Sequence, residues 1–271
     1  MGSSYLRRND VFFWGFEIAM NARRPLLATG GVLVALFALG ACGTADAGEA
    51  PVEKKTFAFD GDTLVVDSDD SELVLTPADV DDVLVERQVD GWVVMGSGPD
   101  TTWKLEGGRL TLRVDCDAVA SHCEAVHRIK VPRDVAVTVE NEDGDITAEG
   151  FATPLKVRSD DGDVRVAGST GDVDLGSKDG DLAVDGDTRA PKVLARSDDG
   201  DVQLTLGAVP RSVEVFTKDG DVSVTVPTAE YDATATTADG DVSLDVPRRA
   251  GGDHSLNVRT DDGDISVRTA N

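Results

Sequence analysis

The chain has 271 residues, enough for one large domain or two small ones. It carries 51 Asp and Glu against 26 Lys and Arg, a formal net charge of −25 at pH 7. That balance argues against nucleic acid, which needs a basic patch to displace counterions, and against electrostatic docking on anionic lipid. Aromatic residues make up only 5%, and Val is frequent where Ile is rare, a composition suited to short β-strands in thin layers.

Arg23 and Arg24 precede an apolar and small-residue stretch from Pro25 to Ala41, which ends Leu39-Gly40-Ala41-Cys42. A basic start, a short apolar run and small residues before a cleavage point make a signal peptide over residues 1–41. The run is too short to cross a bilayer comfortably. Leu-Gly-Ala-Cys resembles the lipobox read by lipoprotein signal peptidase, which makes Cys42 the lipidated new N-terminus. Met20 stands just before the basic pair, so residues 1–19 read as an upstream, misassigned start, and Arg23-Arg24-Pro25-Leu26-Leu27 loosely resembles a twin-arginine signal. Residues 42–52 are small and polar and read as the lipidated end plus a flexible tether. The expected location is the extracytoplasmic face of the cell membrane, held there by lipid.

Residues 53–271 read as one acidic β-domain with an irregular first third. Trp92 and Trp103 in that third are the best candidates for an exposed aromatic patch, with core packing as the competing role. Cys116 and Cys123 are the cysteines left after Cys42, and outside the cytosol such a pair is expected to form a disulfide. A metal site built from Cys116, His122, Cys123 and His127 fails on compartment and on adjacency, because His122 and Cys123 would point opposite ways on a strand.

From Asn141 a repeat takes over. Asn141-Glu-Asp-Gly-Asp-Ile is followed by like units beginning at Ser159, Ser177, Ser197, Thr217, Thr237 and Thr260. Their glycines, at 144, 162, 180, 200, 220, 240 and 263, are spaced by 18, 18, 20, 20, 20 and 23 residues. Gly171-Asp172-Val173 is a half-step copy. Apolar residues alternate after each turn, as in Val202, Leu204 and Leu206, and before it, as in Val213 and Val215. Alternation with period two means half-buried strands. Asp-Gly supplies a self-capping side chain and a residue tolerant of positive φ. The near-constant period predicts a β-solenoid of stacked strand–turn–strand units of about 18–20 residues, in which each unit buries its apolar row only by stacking on the next. Val164, Leu182, Val202, Val222, Val242 and Ile265 should then form one inward row. The alternative is an antiparallel β-meander or sandwich, since Asp-Gly is also a hairpin signal.

Ile129-Lys130-Val131-Pro132-Arg133-Asp134-Val135, the string of Gly-Asp-Val units and the lipoprotein signal together resemble the bacterial putative-adhesin family, the domain of unknown function numbered 4097. The resemblance covers roughly residues 55–271. It implies an extracytoplasmic β-solenoid with adhesion or envelope-stress roles, and it brings no catalytic residues.

Stacking would place Asp143, Asp161, Asp179, Asp199, Asp219 and Asp239 in a column about 4.8 Å apart, a candidate calcium ladder. The calcium-loop spacings of known motifs are absent, and turn-forming Asp with solvated carboxylates is the competing reading. Carboxylate pairs are too abundant to single out a glycosidase pair. His122, His127 and His254 read as surface or turn residues, and no nucleophile elbow, zinc motif or phosphate loop occurs. The expected function is therefore binding or envelope sensing through an unidentified cell-surface partner, without catalysis or cofactor. A polysaccharide-processing β-helix enzyme and a structural surface spacer are the alternatives.

Overall fold

The computed structural model describes Ala47 and residues 50–270, except for the side chains at 93, 94, 96, 97 and 117–122. The leader and Cys42 lie outside the described residues. Nineteen strands follow one another among the described residues. The first five are β1 (Glu53–Phe57), β2 (Thr63–Asp70), β3 (Glu72–Ala78), β4 (Val83–Glu106) and β5 (Arg109–Pro132). The repeat region begins with β6 (Ala136–Asp143), β7 (Ile146–Glu149), β8 (Leu155–Ser159), β9 (Val164–Ala167), β10 (Val173–Asp179), β11 (Leu182–Val184) and β12 (Lys192–Asp199). It ends with β13 (Val202–Thr205), β14 (Ser212–Phe216), β15 (Val222–Val226), β16 (Asp232–Thr236), β17 (Val242–Asp245), β18 (Ser255–Arg259) and β19 (Ile265–Thr269).

Each coil is two strands joined at an Asp-Gly corner. Strands pair in parallel with their counterparts one coil away, so that Leu182 sits beside Val164 on one side and Val202 on the other. One row of strands runs β2–β6–β8–β10–β12–β14–β18–β16. The facing row runs β3–β7–β9–β11–β13–β15–β19–β17. This is the stacked solenoid, and the parallel register excludes the meander. Alternate residues of both rows meet in one continuous core.

The stacking order departs from chain order at the end. The last coil, β18–β19, lies between β14–β15 and β16–β17. Val242 consequently sits in the inward row, paired with Ile265, but in the outermost coil, where it is 45% exposed. The physical reason is visible in side-chain size. In one row the inserted coil brings Leu256 and Val258, both buried, where the outer coil brings the small Ala233 and Ala235; in the other row Ile265 and Val267 are matched by Val242 and Leu244. Placing the larger apolar groups between two neighbours removes more of them from water. The longer segment from Val246 to His254, which accounts for the 23-residue spacing, carries the chain back for this insertion. Tyr231 fixes it: its backbone bonds Pro247 and Arg249, and its hydroxyl donates to the Pro227 carbonyl at 2.7 Å.

At the other end the solenoid closes with antiparallel strands, β4 outside β5 and β1 outside β4. Strand β5 supplies the first coil, pairing with β2 near Leu112 and with β3 from Val126. Between those points the neighbouring coil advances only from Ser68 to Glu72, whereas β5 must travel from Leu112 to Val126. The surplus leaves the solenoid as a two-stranded arch, with β4 following β5 in register.

Candidate functional site

Two features could carry function: the Asp-Gly corner and the arch. The corner is a repeated device in which the opening residue, the glycine and the Asp after it each have a task. The Asn, Ser or Thr that opens a unit turns inward and, except at Ser177, donates to turn carbonyls: Asn141 Nδ2 to the Asp143 and Gly144 oxygens at 2.9 Å, and Thr260 Oγ1 to the Asp262 oxygen at 2.8 Å. Gly162 has φ of +122°, and a Cβ there would lie 2.5 Å from the Gly144 carbonyl oxygen. Only glycine meets both demands. The Asp after the glycine links coils through its carboxylate, which accepts the backbone N–H of the corresponding Asp one coil away. Asp163 N bonds Asp145 Oδ1 at 3.0 Å, Asp181 N bonds Asp163 Oδ1 at 2.9 Å, and Asp201 N bonds Asp181 Oδ1 at 2.8 Å. The ladder then continues through Asp221, Asp264 and Asp241.

The Asp before the glycine has no comparable structural task for its side chain. Asp161 aligns with Asp179, Asp179 with Asp199, and Asp199 with Asp219. Asp262 stands between Asp219 and Asp239, and Asp143 pairs with Asp70. The expected column therefore exists, with Asp262 inserted into it. Its members disfavour one another's charge. Desolvation within the column, together with Asp161 and Asp199, pushes the Asp179 carboxyl above its usual range. A shared hydrogen bond with Asp199 is the main cause of the same shift at Asp219. Lys178 and Lys218 lie alongside, but their closest partners are Asp160 at 2.6 Å and Asp198 at 2.8 Å, one position before the column. Among the described residues, no group of three or more His, Cys, Asp or Glu side chains converges as a metal cage.

The arch is the second feature. Cys116 and Cys123 are joined by a disulfide with Cα atoms 6.6 Å apart. Seven residues of straight strand would separate them by roughly 23 Å, so β5 doubles back and the disulfide clamps the neck. Opposite, on β4, Trp92 is 51% exposed and Met95 84% exposed. Arg113 holds the base of the arch to β2, its guanidinium donating to Asp67 Oδ1 at 2.6 Å. Beneath the neck lies a cleft of about 360 Å³ whose lining includes Ala47, Asp70, Cys123, Val126, Arg128 and Gly144. Burial, reinforced by Asp69 and Asp143, raises the Asp70 carboxyl there.

Trp103, the other candidate aromatic, belongs to the end cap. It meets Phe57 edge-on at 6.3 Å and carries the Arg87 guanidinium 4.2 Å above its ring. The histidines separate in the same way. His254 occupies the turn region, with Nδ1 2.8 Å from the Pro210 carbonyl oxygen. The side chain of His122 is outside the described set. His127 departs from the expected surface or turn placement: it is fully buried, and neither ring nitrogen has a hydrogen-bond partner. Its position on β5, paired with Leu73 inside and Arg87 outside, accounts for that burial. The arch itself was not legible as an arch. Its signals were the uncharged run Gly91–Pro99 and the two cysteines.

A family model described as Toastrack DUF4097 matches residues 124–268. A comparison with curated proteins finds no match. Among solved structures, a putative adhesin from Bacteroides fragilis is 13% identical, with a TM-score of 0.51 over 81% of this chain and 97% of its own. A putative adhesin from Parabacteroides merdae is 14% identical, with a TM-score of 0.33 over 82% of this chain and 98% of its own.

Proposed function

The chain belongs to the Toastrack DUF4097 family, and on that premise we propose that it is a lipid-anchored binding protein of the extracytoplasmic cell surface. In this reading it acts in adhesion or envelope sensing and performs no catalysis. Cys42 supplies the anchor, the solenoid supplies a rigid support, and the arch with its underlying cleft is the binding element. The observation that carries the reading is the contrast between a uniform repeat and one interruption. Coil after coil presents the same corner, and the single large excursion exposes Trp92 and Met95. Aromatic and Met side chains held exposed on a rigid element favour contact with a partner. The Bacteroides fragilis structure described as a putative adhesin agrees with a surface role.

The test is capture from intact cell envelope by the full-length chain. Material retained by the native chain and lost with Trp92→Ser plus Met95→Ser supports the reading. Equal retention by both overturns the assignment of the arch. The absence of catalysis is tested by an alanine scan of Asp143, Asp161, Asp179, Asp199, Asp219 and Asp239 together with His122, His127 and His254. One position that abolishes a measurable turnover of cell-wall glycan or peptide overturns that part. Intact mass of the membrane-fraction protein, native against Cys42→Ala, tests the anchor.

A further inference from the structure

We propose that the partner of the arch is the lipid bilayer itself, and that Trp92 and Met95 enter its headgroup region. The inference rests on the reading of Cys42 as the anchor and adds the class of partner.

Four observations lead there. Among the described residues, three of the five large hydrophobic side chains left in water, Val52, Trp92 and Met95, belong to one end, and the two most exposed of the five are Trp92 and Met95 on the arch, while Val209 and Val242 lie elsewhere. The arch above its neck is also free of charge. Residues 91–99 and 118–122 contain no Asp, Glu, Lys or Arg, in a chain where those four types make up 28%. Acidic residues resume at Asp90, Asp100 and Asp117. Next, the N-terminal segment reaches the structure beside the arch. Gln88 Nε2 donates to the Ala50 carbonyl at 2.9 Å, and Ala47 lines the cleft with Cys123 and Val126. Cys42 is five residues upstream of Ala47, a separation of at most ~18 Å. Trp92 faces His122, one residue past the neck, and Met95 stands three residues further along β4 near the tip, roughly 12 Å of strand from the disulfide. A lipid on Cys42 and the apex therefore reach one surface without stretching either. Lastly, the disulfide holds the neck closed, so the apex reaches the surface already shaped.

The chemistry suits a bilayer interface. Indole places an apolar ring and an N–H donor at headgroup depth, and Met packs adaptably among acyl chains. A net charge of −25 disfavours anionic lipid, so the surface is zwitterionic or uncharged. Two apolar side chains bind a bilayer weakly, but a tether of a few residues converts the contact into an intramolecular one at high effective concentration. A second copy is the less suitable occupant, because two chains of equal negative charge repel.

The test reconstitutes the full-length, membrane-extracted chain in phosphatidylcholine vesicles, with and without brominated acyl chains. The difference in emission between native chain and Trp92→Phe isolates Trp92. Trp103, packed on Phe57, serves as the internal reference. The expected result is flotation with the vesicles and at least a twofold loss of the Trp92 emission in brominated lipid. Met95→Glu, which leaves Trp92 in place, should reduce that loss. A chain that floats with Trp92 emission unchanged overturns the inference and leaves the anchor standing. A chain that does not float overturns the anchor and the inference together.

Discussion

At Gly200 the backbone has φ of +146°, and a Cβ would lie 2.7 Å from the Gly180 carbonyl carbon. Alanine there meets a disfavoured conformation and a backbone it cannot displace, because the neighbouring coil is itself fixed. Gly200→Ala is expected to cost about 2–4 kcal/mol. Gly251 has φ of +71° with nothing within 4 Å of a built Cβ, so Gly251→Ala should cost only about 1 kcal/mol. Urea denaturation of the two variants measures the difference. His127 sets a pH dependence. Burial, with a smaller contribution from the Arg87 charge, holds its pKa down to about 4. The unfolded chain binds the proton first, near pH 6.5, so stability is full above that value and is lost as pH falls toward about 4. The loss is on the order of 3 kcal/mol when complete. His127→Leu should flatten this part of the curve. A slope unchanged by that substitution would show that another group is responsible.

Among elements, the coil order separates two positions that look alike in sequence. Ile265 lies inside the stack and is 1% exposed, while Val242 faces the end and is 45% exposed. Ile265→Ala should cost about 2–5 kcal/mol and Val242→Ala less than about 1 kcal/mol. Similar costs for both would contradict the inserted last coil. The outer coil leaves β16 and β17 each with a free edge, the usual template for aggregation. Asp232, Asp239, Asp241 and Asp245 stand along it and discourage pairing with another chain. The corners carry opposing effects side by side. The Asp ladder after the glycine binds coil to coil, while the column before it repels. Asp179 and Asp219, held above the usual carboxylate range, destabilise the folded chain at neutral pH and cease to do so as pH falls through their pKa values. Asp179→Asn with Asp219→Asn should therefore raise the melting temperature at pH 7 in low salt. The gain should shrink at high salt, where the repulsion is already screened. A gain independent of salt would point to a cause other than charge.

For the whole molecule, the arrangement is a stack in which each coil touches its neighbours and little else, so stability is the sum of local interfaces. Both ends are modified. One is closed by antiparallel strands and Trp103, the other by small side chains and acidic edges. The arch belongs to the first of these ends, beside Ala47 and Ala50.

Much of this was legible in the sequence. Alternation and a near-constant period are local and repeated, so they specify strands, corners and an inward row without reference to anything distant. The glycine of each corner could be read for the same reason, since turn chemistry depends on adjacent residues. The cysteine pair suggested a disulfide. Three features needed the tertiary structure. The last coil inserts before the penultimate one because core burial is compared across coils, and no local pattern encodes that comparison, although the Ala233 and Ala235 pair and the 23-residue spacing were its traces. His127 is buried because β5 is covered on both sides, a consequence of β4 folding back over it. The arch forms because one coil is longer than its neighbour between two fixed pairings, and a surplus of length is visible only once both registers are known.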